Sequence, residues 1–438
     1  MGLDFRHASL VDGVRFSAQV AVPNVVLGLF AKRSVPTRVA SIAHADDLAY
    51  LLVHGLVKRF GPDPFWIRVM RDEALLVHHP DDIRLVLGGS PEPFASDPDA
   101  KRKGMAAFQP NALTISRNPL WQNRRAFAEA VLDTTQPVHR LAPGFLATVA
   151  EEADRLDAQP ALDWAVLNGA FQRITRRIVF GDSAADDVSV SVELGELMSA
   201  GNKMPGKPAD GYPAFLHRVQ RYVEAAEPGS LCSLVAEAPS DGETDVAGQL
   251  VHWLFAMGDT LAANVFRTLA ALATHPLQLA EVRAELDGAD LAVPKSVTSL
   301  DYLAGCLCEA MRLWPTTPLF GRVATQAVRF PTGALLPAGK QVLIPNLFNH
   351  RNRDRIPFAD RFAPEEWASG TAGEDWSFNF FSHGPQGCPG ANLAMLVGQA
   401  FVGQVAGRAP WRVSGASLRP GSALPHGLDV YALRLARS

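Results

Sequence analysis

The sequence predicts a mainly α-helical protein with a small β-sheet region, and three observations carry that expectation. Apolar residues recur at three- and four-residue spacing through most of the chain, alternating strand-like runs are few and short, and one segment of about 30 residues is apolar on most sides. With 438 residues, 47% of them hydrophobic and 20% charged, the chain can bury a large core, and its composition does not suggest disorder.

The N-terminal stretch Ala18 to Ala31 is apolar, but Pro23 and Asn24 interrupt it and it falls short of the ~20 residues that span a bilayer. No transmembrane anchor and no signal peptide are expected, and residues 1–45 are expected to be irregular. Helical spacing then appears in Tyr50 to Phe60, Asn118 to Val131, Pro143 to Asp157, Leu162 to Val179, Val188 to Ala200 and Tyr212 to Ala226. It returns in Asp245 to Thr274, Pro276 to Leu286 and Ser299 to Leu313. At about 1.5 Å per residue, Asp245 to Thr274 measures roughly 45 Å, and its all-round apolarity places it through the middle of the molecule. Strand-like runs occur at Trp66 to Met70, Ala74 to Val77 and within Phe320 to Pro345, where Leu335 to Ile344 reads as a hairpin around a Pro/Gly turn. From Pro345 to Phe381 the chain is irregular, too long for an idle loop unless it packs as a structure of its own.

A net charge of −4 and the absence of a long basic run argue against nucleic-acid binding. Four cysteines, Cys232, Cys306, Cys308 and Cys388, are too few for a disulfide framework, which suits a cytoplasmic protein. Cys306 and Cys308 point about 200° apart around a helix and are expected in the core.

The segment from Phe381 to Gly390 places Cys388 behind a Gly/Pro-rich loop at the start of a helical run, Ala391 to Val405. Backbone N–H groups and the helix dipole there favour a thiolate, and Gly384, Gly387 and Gly390 are expected to let the backbone approach something flat and bulky. The spacing G-x-x-G-x-x-G is not a dinucleotide fingerprint, and Gly333 to Lys340 fails as a P-loop because Gln341 stands where Ser or Thr is required.

Phe381, Gly384, Cys388 and Gly390 in F-x-x-G-x-x-x-C-x-G resemble the haem-binding signature of the cytochrome P-450 family. Other family marks follow in order over roughly Ala74 to Gly407. Glu309 and Arg312 resemble the family's E-x-x-R, although Glu152 and Arg155 fit that pattern too and read as a solvated ion pair. The segment Phe358 to Trp367 resembles its meander, whose Arg361 the resemblance places in a buried network with Glu309 and Arg312. Trp121 and Arg125 match W-x-x-x-R, with Arg125 and then Arg322 implied as partners of the haem propionates. Ala256, Met257, Gly258, Asp259 and Thr260 are similar to the oxygen-binding kink, where Thr260 would hydrogen-bond dioxygen and Asp259 would relay protons.

The resemblance implies one domain over residues 1–438, a haem b held by Cys388, and a monomeric monooxygenase acting on a small lipophilic substrate. It implies electrons from a ferredoxin or flavodoxin with its reductase, docking on a basic face that includes Arg124, Arg351, Arg353 and Arg355. The pocket walls are expected from the loop Pro91 to Pro119, the helix pair within Val188 to Ala226, Ala256, Met257, Leu319 and Phe320. Two departures stand out. Met257 replaces a glycine, so that Gly258 is expected to supply flexibility, and Gln386 replaces an Arg or His that would face a propionate. They leave open a haem-thiolate enzyme of another type, driven by peroxide or performing coupling, rearrangement or nitrogen transfer, and a non-catalytic haem sensor.

Overall fold

A computed structural model describes residues 4–408 and 410–437. Helices dominate, as the periodicity requires, and most stop within two or three residues of their expected ends. Phe16, Val20 and Ala21 of the N-terminal segment are buried. That segment departs from expectation: instead of irregular chain it forms the helices Leu10–Phe16, Val22–Leu27 and Ser34–Ile42, with a π-helical turn at Ser17–Ala21. Ser9 and Asp12 close a reciprocal capping box at its start, which satisfies backbone donors that would otherwise lack partners. No described helix is long and apolar enough to cross a membrane.

The sheet region is small. Six short strands run in the order Arg6–His7, Phe65–Val69, Asp72–Leu76, Gln341–Ile344, Phe320–Ala324 and Phe94–Ala95. The expected hairpin at Leu335 to Ile344 is not formed. Leu335–Leu336 pairs with Val328–Arg329 in a sheet of its own, while Gln341–Ile344 lies between Asp72–Leu76 and Phe320–Ala324. The Pro/Gly turn therefore passes the chain from one sheet to another, because Val342 and Ile344 find a larger apolar cluster with Leu75, Val77 and Phe94 than a lone hairpin could offer. Phe320–Ala324 is antiparallel to Gln341–Ile344, with Arg322 opposite Val342.

The segment Asp245 to Thr274 does run through the largest core cluster as one rod. It comprises the helices Val246–Phe255 and Ala262–Thr274 joined by a π-helical turn, Ala256–Leu261. Such turns widen the backbone locally and free carbonyls from the regular ladder, and this one falls on the residues singled out for chemistry. The helix Ala391–Arg408 packs across the second half of this rod, which sets Cys388 opposite the π turn.

Candidate active site

A cavity of about 330 Å³ opens between the central rod and the loop before Ala391–Arg408. Cys388, Trp121, Arg125, Arg322, Phe320, Phe381 and Gly390 line it, together with Ala256, Met257 and Thr260 from the π turn. Most residues expected at the site, scattered over some 270 positions of sequence, thus meet around one space. Leu319 is an exception. It lines neither this cavity nor its neighbour but packs on the cluster of Phe65, Leu343 and Leu347 just before the strand Phe320–Ala324 begins.

Cys388 is presented by a tight loop in which its N–H donates to the carbonyl of Phe381 at 2.7 Å. Burial pushes the Cys388 thiol up, against the Gly390 N–H and the Arg125 charge, which favour the thiolate. By contrast, burial pushes Cys232 and Cys308 up to about 12, with no such opposing groups to draw them toward chemistry. Gly384 has a role other than the expected one. It adopts φ +66°, and a Cβ there would lie 2.6 Å from the Leu87 carbonyl, so the loop needs glycine to turn against the helix Pro80–Gly88.

Arg125, on the helix Leu120–Val131, donates from Nη1 to the carbonyl of Gly387 and from Nε to Glu129 at 2.6 Å. Arg322 is 3% exposed and has no carboxylate partner among the described residues; it donates to Ser90 Oγ, the Gly321 carbonyl and Ser382 Oγ. Burial pushes it down to about 9. A buried guanidinium without an anion is costly, and Gln386 Oε1 on the same cavity is likewise buried without a partner. A thiol, an unpaired cation and an orphaned amide around one space fit a flat cofactor that brings a metal and carboxylates.

On the opposite wall, Thr260 makes no side-chain hydrogen bond among the described residues. Thr268, two turns on in regular helix, donates to the carbonyl of Asn264 at 2.8 Å, as does Thr175 to Phe171 at 2.7 Å. Widening of the helix at Ala256–Leu261 leaves the Thr260 hydroxyl free to face the cavity. Asp259 points the other way, into a neighbouring cavity of about 410 Å³ that Thr260 also lines. Burial pushes its carboxyl up, although Asn168 Nδ2 and Gln172 Nε2 donate to Oδ1 at 3.2 and 3.1 Å. A Cβ at Gly258 would stand 2.8 Å from the Gln172 amide that holds Asp259, so this glycine leaves room for that amide.

Beneath the site, Glu309 and Arg312 are both 0% exposed. Arg361 does not join them through its side chain, which is exposed; only its carbonyl accepts from Arg312, at 3.0 Å. Arg351, seven residues before Phe358, is buried instead, bridging Asp360 at 2.7 Å. Arg124 and Arg351 are 5% and 0% exposed, so the expected basic docking face loses both. Arg353 and Arg355 are already paired with Asp360 and Asp375.

Sequence reading missed Asn168 and Gln172, which only packing of the helix Trp164–Phe180 on the π turn reveals. It also missed Lys101 and His252, two polar residues on the cavity wall. Burial pushes His252 down to about 4, and its Nδ1 lies 3.1 Å from Gln109 Oε1. The loop Pro91 to Pro119 was expected at the pocket, and a cation within it is the signal that could have found Lys101.

Residues 233–408 match the family model for cytochrome P450. Among curated relatives, cytochrome P450 4A22 of Homo sapiens is 34% identical over 158 residues, 35% of this chain and 30% of the relative. Taurochenodeoxycholic 6 alpha-hydroxylase of Sus scrofa is 32% identical over 158 residues, 35% of this chain and 31% of the relative. The matched stretch thus spans about a third of the length of each of these relatives. The retinoic acid bound cyanobacterial CYP120A1 superposes with a TM-score of 0.71 at 18% identity, covering 88% of this chain and 93% of that one, which establishes a shared fold. Residues 233–408 thus carry the pattern of the cytochrome P450 family, and the chain shares the fold of a solved structure, CYP120A1, over most of its length.

Proposed function

We propose that the protein is a haem-thiolate monooxygenase that inserts one atom of dioxygen into a small lipophilic molecule. The observation that carries this reading is that Cys388 and Thr260 face each other across one cavity, one on each side of the space a flat cofactor would fill. Cys388 would hold a haem b, and Arg322 and Arg125 would meet its propionates. When bound, the haem supplies the oxygen chemistry, because a thiolate ligand donates electron density to the iron and favours O–O cleavage.

The protein's own groups then have separable tasks. Thr260, spared from bonding to its own helix, offers its hydroxyl to dioxygen. Asp259 stands behind it, with a carboxyl pushed upward by burial, which eases its uptake and release of a proton. Because Thr260 borders both cavities, protons reach the reaction from the polar side while Ala256, Met257 and Phe320 keep the substrate side apolar. Gly195 and Met198 of the expected helix pair line the larger cavity, on the Asp259 side of the π turn. A lipophilic skeleton is supported by these walls and by the names of two similar proteins, which refer to a bile acid and to retinoic acid. Electrons would come from a ferredoxin or flavodoxin with its reductase.

The test is the carbon monoxide difference spectrum of the dithionite-reduced protein beside a Cys388→Ala variant. A strongly red-shifted Soret band in the wild type, absent in the variant, is expected. A protein that binds no haem, or binds it without that band, overturns the reading.

A further inference from the structure

The cavity around Cys388 holds more positive charge than carboxylate to meet it. Three cationic side chains line it: Arg125, Arg322 and Lys101. Arg125 already bridges Glu129 at 2.6 Å. Arg322 and Lys101 have no carboxylate partner among the described residues. Lys101 projects from the helix Asp99–Met105, and its Nζ donates to the carbonyls of Ser96 at 3.0 Å and Thr114 at 2.7 Å. Two neutral acceptors fix the ammonium in place and leave its third N–H without a partner among the described residues. The nearby acid, Asp97, is taken: Arg117 donates to both its oxygens at 2.9 and 3.1 Å, and Arg102 bridges it at 3.2 Å.

Burial without an anion has the expected effect on both cations, pushing Lys101 down to about 7 and Arg322 down to about 9. Such an arrangement is unfavourable until an anion arrives, and a carboxylate entering the cavity restores neutrality while accepting the free N–H. The residue expected to supply a further cation, at position 386, is a glutamine here. We infer that Lys101 is a carboxylate-binding residue of this cavity and that a haem propionate is the carboxylate it meets, in place of the cation that Gln386 does not supply. The inference rests on the haem reading proposed above. A lipophilic substrate bearing a carboxylate is the other source of the same chemistry, and the experiment separates the two.

The rate of haem transfer from the holoprotein to excess apomyoglobin is measured for the wild type, Lys101→Met and Lys101→Arg, each loaded with haem or with its dimethyl ester. Loss of a charge-assisted hydrogen bond predicts transfer about tenfold faster from Lys101→Met. Lys101→Arg should restore most of the difference, and the dimethyl ester should abolish it. Should Lys101→Met fail to fold, Lys101→Gln, which keeps a polar side chain of similar length without the charge, takes its place in the same comparison. In parallel, spectral titrations with dodecanoic acid and methyl dodecanoate compare substrate-side binding. If haem transfer is unchanged but Lys101→Met weakens the acid about tenfold and leaves the ester alone, the carboxylate belongs to the substrate. Equal haem transfer together with equal acid and ester binding overturns the inference. A wild type that binds no haem instead sinks the function proposed above and is recognised before any variant is compared.

Discussion

Two segments of this chain carry the same four-residue pattern, Glu152 to Arg155 and Glu309 to Arg312, and the fold uses them differently. Both glutamates are buried, at 2% and 0% exposed, so the expectation of a solvated pair at Glu152 fails. Arg155 is only a distant partner at 3.6 Å; Glu152 is held by Arg173 and Arg177 of the helix Trp164–Phe180, each at 3.2 Å. It ties one helix to another through side chains alone. Glu309 and Arg312 are instead wired to backbone. Arg312 donates to Glu309 and to the carbonyls of His350, Phe358, Ala359 and Arg361. Glu309 accepts in addition from the Ala363 N–H at 3.0 Å and from Trp367 Nε1 at 2.8 Å. A charged pair that satisfies an irregular loop specifies one conformation of that loop, and this loop leads into the Cys388 segment.

The comparison breaks first at Arg312. Arg312→Ala leaves a buried carboxylate without its counter-charge and the carbonyls of His350 and Arg361 without a donor among the described residues, a cost of about 3–5 kcal/mol or more out of a total stability of about 5–15 kcal/mol. Soluble yield and the urea midpoint should both collapse, and a variant that unfolds like the wild type would show that the loop does not depend on this arginine. Glu152→Gln should cost less, about 1–2 kcal/mol, because Arg173 and Arg177 retain Asp186 and Asp182 as partners. Urea unfolding of that variant should show a lower midpoint with unchanged slope and unchanged spectra of any bound haem.

Acid sharpens the contrast at the edge of the loop. Burial raises the Asp360 carboxyl, but Arg351 and Arg353 outweigh it and hold the group below the usual carboxylate range. A folded-state value below the unfolded one means the stabilisation is complete above the unfolded pKa of about 3.9 and fades as pH falls through the folded value. Stability measured by urea from pH 6 downward should therefore fall less steeply below about pH 4 in Asp360→Asn than in the wild type. The smallest effect is expected at Arg361→Ala, within about 0.5 kcal/mol, since its side chain is exposed and only its carbonyl is used. A loss as large as that of Arg312→Ala would restore Arg361 to the buried network.

Local pattern was sufficient for the long helices, because three- and four-residue apolar spacing is a property of each segment by itself, but it missed Leu10–Phe16, Val22–Leu27 and Ser34–Ile42. The residues that meet at the cavity, Cys388, Thr260, Trp121, Arg125 and Arg322, were legible through resemblance to family motifs in order along the chain, not through local pattern alone. Local pattern failed where partners come from elsewhere. Leu335 to Ile344 carries a turn but not the information that its two strands join different sheets. Arg361 and Arg351 are indistinguishable as letters, and packing alone buried one and exposed the other. Lys101 lay within a loop expected at the pocket, yet its unmet charge becomes visible only when Asp97 is seen to be taken by Arg117 and Arg102. What the sequence by itself determined is which segments fold and which chemistry they carry; which charges remain unsatisfied was decided by the tertiary structure, because burial and the removal of water are properties of the assembled chain.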